Sequence, residues 1–149
     1  MWSQTRTYLK QQIEVISPTR SEWDDSLQAD TLNTPSTLLK QRYHIALDPG
    51  NSNATSGKVV EDNVFATVTI WSQGYKTVTA TLDALMDEAL CIRHQIIDQR
   101  NMELFGGEIY SIINTAIEPS EIDGTNDNTV QVQLTFNVRF IFPSPIVAP

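Results

Sequence analysis

The sequence predicts an α+β domain: a four-stranded, mostly antiparallel sheet packed by two helices, with a long C-terminal hairpin. Three observations carry that expectation. Residues 129–142 alternate apolar with polar side chains and only the outward Ile141 breaks the pattern, while residues 63–72 repeat the alternation with β-branched side chains. Residues 76–97 instead space their apolar side chains by three and four, as a helix with one buried face requires. Strands and helices that follow one another in this way favour an α+β domain.

Residues 1–16 form the N-terminal helix. Trp2, Leu9, Ile13 and Ile16, flanked by Tyr8, fall on one side of it, and Ser17-Pro18 stops it. Residues 17–40 are a connection punctuated by Pro18, Trp23 and Pro35, in which Leu27, Leu32, Leu38 and Leu39 keep no period. A connection that long in a compact domain usually has a task or a partner. The core then spans residues 41–142. Its first strand, 41–47, sets Tyr43, Ile45 and Leu47 against Arg42, His44 and Ala46, and Asp48-Pro49-Gly50 predicts the turn that ends it. The second, 63–72, sets Val64, Ala66, Val68 and Ile70 against Phe65, Thr67, Thr69 and Trp71.

In the helix at 76–97, Val78, Leu82, Leu85, Ala89, Ile92 and Ile96 make the buried stripe. Asp83, Asp87 and Glu88 lie off it and are expected in solvent; Arg93 sits toward the end where the helix dipole favours a cation. Residues 108–117, with Ile109, Tyr110, Ile112, Ile113 and Ile117, predict a third strand, and residues 119–128 an acidic turn containing Asp123-Gly124. A strand over 129–142 is about 45 Å long at about 3.3 Å per residue. It is expected to project past the sheet, so that something must meet its ends. The tail, 143–149, holds three prolines without donors and is expected to lie extended over a neighbour. Two helices are too few for all these apolar faces, which predicts self-association.

The 149 residues fit one domain, 1–149, of a size that buries about 70% of its unfolded surface. A single cysteine, Cys91, excludes an internal disulfide and any cysteine-rich zinc site. No apolar run approaches the roughly 20 residues of a membrane span, and the N-terminus is amphipathic, so a soluble protein made in the cytosol is expected. Ten Lys plus Arg against eighteen Asp plus Glu give a net charge of −8 with no basic cluster. Tight binding to a phosphate backbone runs on cations, and this chain lacks them; an acidic surface lets nucleic acid pass without sticking.

No motif points to catalysis, a metal or a cofactor. Gly50 to Lys58 has the tone of a phosphate loop, but six residues separate Gly50 from Gly57, Val59 stands where a metal-binding hydroxyl belongs, and no helix follows. An exposed linker explains the composition better. Cys91 and His94 share a helix face, yet two ligands do not close a site and His44 lies in a distant strand. There is no Gly-x-Ser-x-Gly elbow. Glu118, Glu121, Asp123 and Asp127 lack the spacing of an EF-hand and suit a solvated turn, and the sequon at Asn53 matters only in a secreted chain.

The layout resembles one family. The N-terminal helix, the paired stretches Tyr43-His44-Ile45-Ala46-Leu47 and Val64-Phe65-Ala66-Thr67-Val68-Thr69-Ile70-Trp71, the helix around Leu82-Asp83-Ala84-Leu85-Met86-Asp87-Glu88-Ala89-Leu90 and the final strand Val132 to Phe140 are similar to the tail terminator (tail completion) proteins of long-tailed bacteriophages. The likeness is one of element order and length over residues 1–16 and 41–142, since the family has no invariant motif. It implies a structural protein of the virion neck, not an enzyme: a homohexameric ring on the last ring of the tail tube, joined to the head-tail connector, with viral DNA passing through its lumen. It implies no cofactor, no membrane, and assembly in the host cytoplasm. Length and expected exposure then select the contacts with tube or neck: Asp48, Asn51, Asn53, Lys58, Glu61 and Asp62 in the linker 48–63, and Glu118, Glu121, Asp123 and Asp127 in the turn 118–128. The alternatives are another neck or head completion protein, which would tend to twelve copies or to more strand, and a small α+β enzyme or ligand-binding protein, which would be a monomer or dimer with a deep polar pocket.

Overall fold

The alternation at residues 129–142 builds an interior strand of one sheet. The computed structural model describes residues 2–23, 42–55, 59–72, 77–106, 108–121 and 129–143. Its elements are α1 (Trp2–Ile16), β1 (Ser21–Glu22), β2 (Arg42–Thr55), β3 (Val59–Ser72), α2 (Val78–Ile97), α3 (Gln99–Leu104), β4 (Ile109–Glu121) and β5 (Val130–Pro143). The five strands lie in the order β1-β2-β3-β5-β4, β1 parallel to β2 and every other pair antiparallel. This is the expected α+β class, with a fifth strand and a third helix added among the described residues.

The additions and extensions have local causes. β1 is two residues long, too short for any period, and the Trp23 N–H continues its pairing by donating to the Tyr43 carbonyl at 2.7 Å. Asp98 starts α3, its carboxylate accepting from the Arg100 N–H at 3.0 Å, in a six-residue helix that also escapes periodicity. The predicted turn at 48–50 is not a turn: β2 runs through it with an irregular register between Pro49 and Ser52. Proline is tolerated at such an irregularity. Glycine is needed at position 50, because a Cβ there would overlap the Asn63 side chain and carbonyl. The expected linker 48–63 is therefore mostly the two arms of a hairpin. β4 likewise continues to Glu121, with Pro119 accommodated on an edge strand. β5 does not project past the sheet as expected, since β3 pairs with it along its whole length, from Ser72 opposite Val130 to Val59 opposite Pro143.

One face of the sheet carries the core. Tyr43, Ile45, Val64, Ala66, Val68, Ile70, Ile109, Ile112 and the β5 series Val130, Val132, Leu134, Phe136, Val138 and Phe140 are buried on it. The α2 stripe of Leu85, Ala89, Ile92 and Ile96 meets them as expected, with Val78 and Leu82 partly buried at its start. Thr77 caps that helix, accepting from the Ala80 N–H at 3.0 Å. On α1 the buried stripe is Thr5, Tyr8, Leu9, Gln12 and Ile13, while Trp2 is 43% exposed, so Tyr8 and not Trp2 anchors the helix. Its hydroxyl donates to the Ile96 carbonyl at 2.7 Å and its ring meets Phe105 edge-on at 5.2 Å. Burial, with a smaller contribution from the Asp98 charge, pushes the Tyr8 phenol above its ordinary pKa. The helices thus cover the apolar face within one chain, against the expectation that apolar surface would be left over. None of them is long and apolar enough to cross a membrane among the described residues.

Candidate functional site

What the helices leave uncovered is the other face of the sheet and its two edges. Strand register sets His44, Thr69, Gln133 and Glu118 in one row of that face, Ala46, Thr67, Thr135 and Ala116 in the next, and Asp48, Phe65, Asn137 and Ile113 in a third. These side chains are small or polar apart from Phe65 and Ile113, which are 36% and 48% exposed.

Among the described residues, one corner of this face is sealed, where Trp71, Thr69 and His44 are buried. Trp23 packs edge-on against Trp71 with ring centroids 5.1 Å apart, and the Trp71 indole N–H donates to Gln131 Oε1 at 3.1 Å. Arg20 fastens the corner from behind. Its Nε and Nη2 donate to the Glu88 carboxylate at 2.6 and 3.1 Å, its Nη1 to the Arg42 carbonyl at 2.9 Å and its Nη2 to the Trp71 carbonyl at 2.8 Å. Ser17 Oγ donates to the same carboxylate at 2.6 Å. Glu88 is therefore not a solvated surface residue as its helical position predicts. Burial works against its ionisation, but the Arg20 hydrogen bonds and charge and the Ser17 hydroxyl outweigh it and hold the carboxyl below its usual pKa.

The structure separates the two groups of expected contact residues. Asp48 is exposed on β2 beside the irregularity, and Asn51 and Asn53 follow in the same strand. Asn53 pairs with Glu61, and Ser52 with the half-buried Asp62. Glu118 and Glu121 are exposed at the far end of β4, opposite Gln133 and Val130. Lys58, Asp123 and Asp127 lie outside the described residues. Because β3 and β5 run antiparallel over their full length, the β2–β3 connection and the β4–β5 connection sit at opposite ends of the sheet, about 40 Å apart at about 3.3 Å per residue. They cannot make one site.

Exposed strand edges are expected from the long C-terminal hairpin, and the structure adds which strands form them. β4 pairs with β5 on one side and has no strand on its other side among the described residues. On β2, the Tyr43 carbonyl is taken by Trp23 and the Ile45 carbonyl by Arg6 Nη1 at 3.1 Å. Beyond those two groups, residues 47–55 have a described strand on one side only. Strand lengths hinted at long edges. Nothing in the sequence marks Arg6 as the group that ends the shielding of one of them.

Clefts among the described residues are small or shallow in two cases. One, of about 120 Å³, is lined by Gln4, Phe105, Gly106, Glu108, Ile109 and Phe140. The other is shallow and lined by Gln11, Gln12, Asn101, Leu104 and Phe105. The first is below the 300–1,000 Å³ or so of ordinary ligand pockets, and the second offers amides and apolar carbons without a titratable group. Cys91 and His94 are exposed on α2 and His44 is buried in β2, so the histidines stand on separate elements. No group of three or more potential metal ligands is found among the described residues. No known family's sequence profile matches the chain, and no curated protein aligns with it significantly.

Proposed function

We propose that the chain is a tail-terminator-like subunit of a phage neck, closing with identical copies into a ring, six in number, that caps the tail tube and receives the head connector. The observation that supports this reading is the pair of sheet edges, open among the described residues, on opposite sides of a chain whose apolar face is already covered. A chain of that kind gains from neighbours mainly through backbone pairing, and two unlike edges give a head-to-tail interface, which forms a closed ring when its rotation closes. The two hairpin connections, at opposite ends of the strands, suit a ring that meets a different partner above and below. Six copies at −8 each carry 6 × −8 = −48 formal charges, which favours a channel that duplex DNA crosses without being gripped.

Two measurements test the proposal. Particles from a phage lacking this gene are expected to carry tubes of irregular length without heads, by negative-stain imaging, and normal virions from that strain overturn the reading. The mass of the assembled protein is expected to be that of six chains; twelve would move it to another neck component, and a monomer retained in the presence of tail tubes would remove it from the neck altogether.

A further inference from the structure

The two open edges differ in charge as well as in position, and the difference selects how they meet. We infer that in the ring proposed above, on which this inference rests, the β4 edge of one copy pairs antiparallel with residues 47–55 of β2 in the next, bringing Glu118 toward Arg42.

Strand direction comes first. β2, β3, β5 and β4 alternate, so β4 runs opposite to β2. Copies related by rotation about an axis roughly along the strands keep that relation, and their facing edges meet antiparallel. Level follows from register. Tyr43, Ile70, Val132 and Pro119 share one row, and Pro49, Val64, Val138 and Ile112 another. A rotation that preserves level sets the start and middle of β4 against residues 47–55, the part of β2 that neither β1 nor Arg6 shields. Asp48 and Ile113, both exposed and in one row of the same face, then become cross-subunit neighbours. Ile113 loses the exposure that is hard to account for in a lone subunit.

Charge decides between this pairing and a two-fold one. Glu118 stands level with His44, on the same face as Arg42, while Arg6 reaches the Ile45 carbonyl and is ion-paired with Glu22 at 2.8 Å. Glu22 of β1 already neutralises Arg6, which leaves Arg42, hydrogen-bonded to Ser21 Oγ at 2.8 Å, as the cation toward which the acidic end of β4 is brought. If two β4 edges met each other antiparallel, exposed Glu108 at the start of one would lie toward Glu118 and Glu121 at the end of the other, like charges that disfavour the pair.

The test uses the full chain with Cys91→Ser, carrying Asp48→Cys and Ile113→Cys together, treated with a bismaleimide short enough to span adjacent strands. A ladder of covalent oligomers ending at the ring is expected from the double variant and no product from either single variant. A covalent dimer from Ile113→Cys alone would show β4 meeting β4 and overturn the inference. A ring, seen by its mass, that yields no ladder would overturn it also while leaving the assembly standing; a chain that stays monomeric at every concentration and on tail tubes would remove both. Charge reversal gives a second readout: Glu118→Arg is expected to weaken association about fivefold, and Arg42→Glu in the same chain to restore it. Failure of restoration, with circular dichroism showing both variants folded, would count against the charge arrangement.

Discussion

The two faces of the sheet solve different problems with the same strands. On the covered face each β5 position is apolar and buried, from Val130 to Phe140, and three helices seal it. On the open face the alternating positions are Gln131, Gln133, Thr135, Asn137 and Arg139, all half-buried, and among the described residues no helix covers them. The stability of the chain is concentrated on one side, and the other side is left to tolerate water or a neighbour. A chain arranged this way buries its apolar face by itself, and the proposed contacts with neighbours fall at its edges and ends.

The strongest way to break that contrast is to truncate the centre of the covered face. Phe136→Ala, at a fully buried position, is expected to cost about 4 kcal/mol in urea unfolding. Next comes the sealed corner of the open face. Glu88→Ala leaves the buried Arg20 guanidinium without its carboxylate and is expected to cost about 3 kcal/mol. The pH dependence sharpens this assignment. A carboxyl whose pKa is lower in the folded chain contributes stability that is fully present above its ordinary value of 4.5 and is lost as pH falls through its lowered folded value. Melting temperatures are therefore expected to drop in that acid window for the native chain, and less steeply for Glu88→Gln.

A single hydrogen bond is the next smaller step. Tyr8→Phe removes the donor to Ile96 while keeping the ring against Phe105, and about 1 kcal/mol is the expected loss in denaturant titration. Last, Thr135→Ala on the open face is expected to change stability by less than about 0.5 kcal/mol, although it neighbours Phe136 in sequence. A cost for Thr135→Ala that rivals that of Phe136→Ala would mean the two faces are not energetically distinct.

Periodicity made β3, β5 and α2 legible, because each repeats its pattern for long enough to outweigh local exceptions. β1 and α3 are too short to carry a period, and no sequence signal distinguishes them from loop. Asp48-Pro49-Gly50 misled for a physical reason: the residues that usually break a strand also serve where a strand is irregular, and at Gly50 the deciding fact is the nearness of Asn63 across the ladder. Glu88 misled because helical position reveals which side a residue takes and not that Arg20, 68 residues away, comes to meet it. The expected contact residues were legible as two polar stretches. Their placement at opposite ends depends on register, which alternation alone leaves open.

The full-length match of β3 with β5 has a mechanical side. When a load is directed along the strands, the rungs of an antiparallel ladder share the strain and must slip together. A load across the strands meets them one at a time, like a zipper. With Val59 facing Pro143 and Ser72 facing Val130, the β3–β5 ladder is expected to resist a pull along the strands better than one from the side.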